Sequence, residues 1–188
     1  MTNKQRIIIG ISGSSGIIYG IRLLEALRKM PIETHLVVSK AGQLTRAYET
    51  DLSLTELKAL ADVYHRCSDL TASIASGSFK TMGMIIAPCS MKTLGEIAHG
   101  ISSSLVSRAA DVVLKERRRL VLLPRETPLH LNHLNNMVTI TQMGGIICPP
   151  VPAFYNKPQS IDDIVNDTVG RVLDLFSLEN ELVKRWGE

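Results

Sequence analysis

Three glycines and three serines fall within seven residues, Gly10-Ile11-Ser12-Gly13-Ser14-Ser15-Gly16, directly after an apolar run. At a strand-to-helix turn, glycines let the backbone approach closely, and free N–H groups with serine hydroxyls make a seat for an anion such as phosphate. The loop lacks Gly-Lys-Ser/Thr, so it is not a nucleoside triphosphate P-loop. Ser39-Lys40 ends the next apolar run, where a dinucleotide enzyme carries an acid for the adenine ribose. A mononucleotide therefore fits the loop better than a dinucleotide.

A second constellation is basic. Arg108, Lys115, Arg117, Arg118, Arg119 and Arg125 gather around one apolar run, Leu120 to Leu123. Arg117 to Arg119 read as solvated cations at a helix end. Arg125 differs, because it follows a buried strand and Pro124. Glu126 beside it is a carboxylate in cationic company, suited to acid/base work. Tyr155, in the stiff Phe-Tyr-Asn-Lys-Pro segment, can bring a hydroxyl to the same anion.

Metal chemistry finds little support. His130 and His133 lie three apart with no third ligand at suitable spacing, and a hydrogen-bonding or surface role suits them. Asp162, Asp163 and Asp167 resemble a magnesium-diphosphate motif but are one residue too widely spaced, and they suit a helix N-terminus. No catalytic metal is expected. Cys67, Cys89 and Cys148 are scattered, which predicts free thiols in a reducing cytoplasm.

These residues need a frame. Short apolar runs alternate with helical patterns, which predicts a single-domain α/β fold over residues 1–188. The expected form is a Rossmann-like, doubly wound parallel sheet with helices on both faces. Strands are expected at Arg6–Ile11, Thr34–Val38, Val63–His65, Met84–Ala87, Leu120–Leu123 and Ile146–Ile147, with Pro88 and Pro124 as stops. Helices are expected at Ile17–Lys29, Leu44–Leu60 with a break near Asp51 to Ser53, Lys92–His99, Leu105–Lys115, Leu129–Met143 and Ile161–Phe176. Ser68 to Ser78 reads as a long mobile loop. Cys148 to Pro158 holds four prolines and is too stiff for regular structure. Ser12 to Ser15, Ser39, Pro88 to Lys92 and Pro124 to Glu126 then share one sheet edge, where ligands of such folds bind.

The bulk composition narrows the partners. The 188 residues are 45% apolar with a net charge of +3, so no general field draws the protein to nucleic acid or an anionic membrane. Aromatic residues are 4%, too few for a base-stacking platform. The apolar start at Ile7 to Ile9 is cut by glycines and serines and predicts neither a signal peptide nor a membrane span.

Taken together, the motifs resemble the flavin prenyltransferases, the UbiX family, which includes proteins once called phenylacrylic acid decarboxylases. The resemblance rests on the first loop, Ser39-Lys40-Ala41, Glu49-Thr50-Asp51 and Pro88-Cys89-Ser90-Met91-Lys92-Thr93-Leu94. It continues through Arg108-Ala109-Ala110-Asp111, Leu114-Lys115-Glu116-Arg117-Arg118, Pro124-Arg125-Glu126-Thr127-Pro128-Leu129, Phe154-Tyr155 and Arg185-Trp186-Gly187. It implies transfer of a dimethylallyl group from dimethylallyl monophosphate to N5 and C6 of reduced FMN, without a metal. Gly13, Ser14, Ser15, Ser39, Ser90, Met91, Lys92, Thr93 and Arg125 would then contact FMN. Arg108, Lys115, Arg125, Tyr155 and Arg171 would surround the donor phosphate. Ser15, Glu49, Lys115, Glu126 and Trp186 would carry the catalytic roles, with Trp186 shielding the allylic cation. The resemblance also implies a homo-oligomer, commonly a dodecamer, whose product serves a UbiD-type decarboxylase in ubiquinone synthesis or phenolic acid metabolism.

Rival functions leave more unexplained. A cysteinyl decarboxylase would need a Pro-Ala-Ser-Ala-Asn-type loop and a Pro-x-Met-Asn motif, and neither occurs. A direct aromatic acid decarboxylase would need an aromatic-acid site that is not evident. A flavin carrier would leave Lys115, Arg125 and Glu126 without work.

Overall fold

The computed structural model describes residues 4–183, 185 and 187. The chain runs β1 (Gln5–Ile11), α1 (Ile17–Leu27), β2 (Ile32–Val38), α2 (Lys40–Glu49), α3 (Leu54–Ala59) and β3 (Val63–His65). It continues β4 (Gly83–Cys89), α4 (Met91–Ala98), α5 (Leu105–Lys115), β5 (Arg119–Pro124), α6 (Leu131–Gln142), β6 (Ile146–Ile147) and α7 (Ile161–Asp174).

The strands pair in parallel in the order β3-β2-β1-β4-β5-β6. Such a sheet is covered on both faces, which is why its strands are apolar throughout rather than alternating. Ile7, Ile9 and Ile11 of β1 pack with Leu23, Leu24 and Leu27 of α1 and Val169 and Leu173 of α7. Ile8 faces the other layer, with Leu94 of α4, Val106 and Ala109 of α5 and Ile140 of α6. The doubly wound arrangement is as expected. Winding reverses between β1 and β4, which opens a crevice at the C-terminal edge of those two strands.

The structure departs from the sequence-based expectations in four places. Strands β4 and β5 run through Pro88 and Pro124 instead of stopping before them; the β4–β5 register shifts between Ile86 and Cys89, and a bulge tolerates a residue without an N–H. The helix after β2 begins at Lys40, not Leu44, because the Ser39 hydroxyl accepts from the Gly42 amide. Several helix ends are shorter than expected: α1 stops at Leu27, α6 starts at Leu131 and α7 stops at Asp174.

Finally, the segment from Ser68 to Ser78 is pinned down. It forms a 3-10 turn at Ser73–Ala75, buries Ile74, and lends carbonyls of Ala75 and Gly77 to Arg108 and Arg118. Arg118 also donates to the Phe79 carbonyl at 2.7 Å. Arg119 bonds the Leu175 carbonyl and lies over the Phe176 ring. Arg118 and Arg119 are therefore staples between segments, Arg118 partly buried and Arg119 still exposed to solvent as expected.

Candidate functional site

The glycine-serine loop links β1 to α1, and Gly16 turns it through a left-handed conformation (φ 103°). Left-handed backbone suits glycine, which has no Cβ to clash. Gly16 offers no side chain to cap α1, so its orphan amides find a partner elsewhere. The Glu49 Oε2 atom accepts from the Gly16 amide at 2.8 Å and the Ile17 amide at 3.0 Å. Ser15 adds a hydroxyl bond to the same carboxylate. Glu49 is the last residue of α2, so that helix must lie across the loop. It is held there by its Ser39 cap and by Gly42, where a Cβ would stand 2.9 Å from the Ile11 carbonyl oxygen.

Partial burial raises the Glu49 pKa, but the Ser15 hydroxyl, the Gly16 and Ile17 amides and Arg125 outweigh it and hold the carboxyl below 4.5. A depressed carboxylate adds stability above its unfolded value, and that stability is lost as pH falls through the folded value. The melting-temperature gap between the parent and Glu49→Gln is thus expected to be full near neutrality. It should close as the pH drops below about 4.5. A gap that widens on acidification would contradict the assignment.

Across the crevice, Ser12 joins β1 to β4. Its hydroxyl donates to the Pro88 carbonyl at 3.0 Å and accepts from the Ser90 amide at 2.7 Å. Its own amide also donates to the Pro88 carbonyl. Ser90 caps α4 in turn, accepting from the Thr93 amide at 3.3 Å. Ser12 is 1% exposed, so Ser12→Ala would strand a buried donor. A loss of about 1–3 kcal/mol of stability is expected in urea denaturation. Unchanged stability would show that this stitch is dispensable.

The loop fits a flavin mononucleotide phosphate on two observations. The Ser14 hydroxyl is buried with no hydrogen-bond partner among the described residues, and such a donor-and-acceptor group suits a phosphate oxygen. Gly13 packs so closely under α2 that an added Cβ would lie 2.3 Å from Ala41 Cβ.

Arg125 closes this side of the crevice. Its Cδ lies 3.1 Å from where a Gly16 Cβ would stand, and its charge acts on both Glu49 and Tyr19. Burial pushes the Tyr19 hydroxyl up, against the opposing pull of Arg125 and a hydrogen bond with Thr168 of α7. Arg171 stands one turn beyond Thr168 and pairs with Asp174 at 3.1 Å. Its charge also reaches Cys148, whose thiol burial pushes up. Glu126 is exposed, and its Oε1 accepts from the Thr127 amide at 3.1 Å. Tyr155 is exposed on a 3-10 turn, Phe154–Asn156.

The structure thus gathers Gly13, Ser14, Ser15, Ser39, Glu49, Ser90 and Arg125 around one crevice, while other expected residues lie apart or turn away. Lys115 ends α5 and pairs with Glu116, four residues before β5 begins. Arg125 follows the far end of that strand, about 20 Å on at ordinary strand rise. Arg108 pairs with Asp111 at 2.7 Å and bonds the Ala75 carbonyl. Met91 and Thr93 sit in the first turn of α4, and Lys92 turns to Glu96 at 2.6 Å. Trp186 lies outside the described residues.

Sequence reasoning missed Tyr19 and Thr168, which join α1 to α7 at the crevice. The available signal was a tyrosine three residues after Gly16 on an otherwise aliphatic helix face. His130 and His133 stack with centroids 3.5 Å apart. The three aspartates serve local structure: Asp162 pairs with Arg22 at 2.8 Å, Asp163 closes the Ser160 capping box, and Asp167 accepts from Asn156.

The sheet order and the crevice loop define a mononucleotide-binding α/β protein. A family model described as Flavoprotein matches residues 1–173. Flavin prenyltransferase UbiX of Escherichia coli (strain K12) is 58% identical over 185 residues, covering 97% of this chain and 98% of that protein. This chain belongs to the flavoprotein family and, within it, to the UbiX flavin prenyltransferases. A UbiX structure solved with FMN and dimethylallyl pyrophosphate superposes with TM-score 0.97 at 50% identity, covering 99% of each chain. A dodecameric FMN-dependent UbiX-like decarboxylase from Escherichia coli O157:H7 gives 0.96 at 52% identity, covering 98% of this chain and 100% of that one.

Proposed function

We propose that this chain transfers a dimethylallyl group from dimethylallyl monophosphate to N5 and C6 of reduced FMN. The observation that carries this reading is Arg125 at the mouth of the glycine-serine loop, a cation beside Glu49 and the α1 N-terminus. Ser14 and the loop amides would hold the FMN phosphate, with Gly13 keeping the backbone close. Ser39 and Ser90 would line the same edge. The flavin supplies the nucleophilic ring that accepts the prenyl group.

The chain's own residues do the rest. Loss of an allylic phosphate leaves negative charge on the departing oxygen, and preorganised cations stabilise it. Arg125 and Arg171 would provide that charge and Tyr155 a hydroxyl donor. A monophosphate carries less charge than a diphosphate, so these cations can serve without a metal. Glu126 would take and return a proton at its carboxylate oxygen as phosphate leaves. Glu49 would orient the Ser15 hydroxyl, to which it is already bonded.

Lys115 can join this site only from a second copy, since one protomer holds it a strand's length from Arg125. That supports a homo-oligomer, and we read it as the dodecamer seen in the relative. The exposed apolar row Leu131, Leu134 and Val138 on α6 suits such an interface. No helix among the described residues is long and apolar enough to cross a membrane. Action in the cytoplasm as one domain, with the product passing to a UbiD-type decarboxylase, completes the reading.

The deciding experiment incubates the protein with reduced FMN and dimethylallyl monophosphate and weighs the flavin by mass spectrometry. Flavin enlarged by the prenyl group supports the proposal; unmodified FMN rejects it. A parallel arm with the diphosphate tests the donor, and preference for the diphosphate would count against the cation site described above.

A further inference from the structure

We infer that Asn156 and Asp167 form a positioning latch that sets Tyr155 against Arg171; this rests on the donor-phosphate reading above. The segment from Cys148 to Gln159 is a strap across the C-terminal edge of the sheet. One end is fixed where the Cys148 amide donates to the Leu122 carbonyl at 2.8 Å. The other is fixed where the Gln159 and Ser160 amides donate to the Asp163 carboxylate at the start of α7. Between these anchors the strap is not packed flat on the helix. A cleft of about 160 Å³ opens under it, lined by Ala153, Asn156, Lys157 and Pro158 above and Asp163 and Asp167 below.

Asn156 crosses that cleft. Its Nδ2 donates to Asp167 Oδ1 at 2.7 Å, a short bond to a charged acceptor. The residues on either side make the bond informative. Asn156 directly follows Tyr155 in the tight 3-10 turn, and Lys157 ends the turn in a left-handed conformation (φ 51°). Asp167 lies four residues before Arg171, hence one helical turn away on the same face of α7. Four prolines stiffen the strap, so an anchor at its middle moves Tyr155 as part of a lever rather than as a free side chain. Neither residue needs to touch substrate. The bond fixes the spacing between the hydroxyl of Tyr155 and the guanidinium of Arg171. It also explains Asp167, which lies beyond the first turn of α7 and so caps none of its free amides.

The test uses the full-length, FMN-loaded protein. Asn156→Asp faces two carboxylates across the cleft and breaks the latch. It is expected to raise KM for dimethylallyl monophosphate by about tenfold, the scale of one hydrogen bond to a charged group. Kcat and FMN affinity should stay near the parent, while the melting temperature falls modestly with the lost bond. The swapped pair Asn156→Asp with Asp167→Asn restores an amide–carboxylate bond with the roles exchanged, and it is expected to bring KM back. Rescue by the swap assigns the effect to the bond itself, and a change in KM without a change in kcat or FMN affinity separates positioning of the donor site from a general lesion. Tyr155→Phe is the reference. If Tyr155→Phe raises KM and Asn156→Asp does not, the latch is overturned alone. If the swap fails to rescue KM, the latch is also overturned. If Tyr155→Phe leaves KM untouched, the donor-phosphate role of the strap fails and the positioning role fails with it.

Discussion

Glu126→Gln is expected to retain FMN but lose turnover by about 10²- to 10⁴-fold, the usual contribution of a general acid/base. The carboxylate follows Arg125 at the end of β5, on the crevice edge and exposed, so it can meet a substrate without first being unburied. Its contact in the free protein is the neighbouring Thr127 amide, which glutamine can still bond through its own oxygen. The substitution therefore removes a proton carrier while leaving the loop bond and the local shape. Single-turnover kinetics under anaerobic conditions would separate the effect on chemistry from that on binding. Retention of FMN at parental affinity with slow turnover is the expected pattern. Full activity would remove Glu126 from proton transfer, and loss of FMN would make it a binding residue.

The frame of this protein was legible because a parallel sheet buried on both faces must be written as apolar strands, and Ile7 to Ile11, Leu36 to Val38 and Met84 to Ala87 are so written. The crevice was legible for a related reason. Strand ends that receive a ligand carry glycine, serine and proline, and these stand out between apolar runs. Harder to see was which charge does what. Arg117, Arg118, Arg119 and Arg125 look alike in sequence, yet Arg118 and Arg119 spend their donors on backbone carbonyls and Arg125 faces the crevice. Only tertiary packing separates them. Likewise, the residues alone gave no reason to seat Glu49 on the amides of Gly16 and Ile17, a contact spanning 33 residues. The family resemblance implies a catalytic role for Glu49, and the crossing of α2 over the loop is the physical cause of its position. Lys115 shows the opposite case. Its place in a motif suggested the site, but α5 carries it to the far edge of the sheet.

Gly13→Ala is expected to abolish FMN binding at ordinary micromolar cofactor. The added Cβ would stand 2.3 Å from Ala41 Cβ and 3.2 to 3.3 Å from the Ala41 backbone. The obstacle is a helix start, not the far end of a flexible side chain, so relief requires α2 or the loop to shift. Either movement has consequences, because α2 carries Glu49 and the loop carries Ser14 and Ser15. A displacement of the loop by even part of an ångström loosens the Gly16 and Ile17 bonds to Glu49 and moves the Ser14 hydroxyl from its buried position. Fluorescence titration with FMN reads the effect directly. The double variant Gly13→Ala with Ala41→Gly removes the 2.3 Å clash and leaves only the tight backbone approach, so it is expected to regain much of the affinity. Non-additivity of this kind marks residues in contact. If Gly13→Ala binds FMN like the parent, the cradle is not at this loop. If the double variant binds no better than the single, the Ala41 contact is not what makes Gly13 necessary.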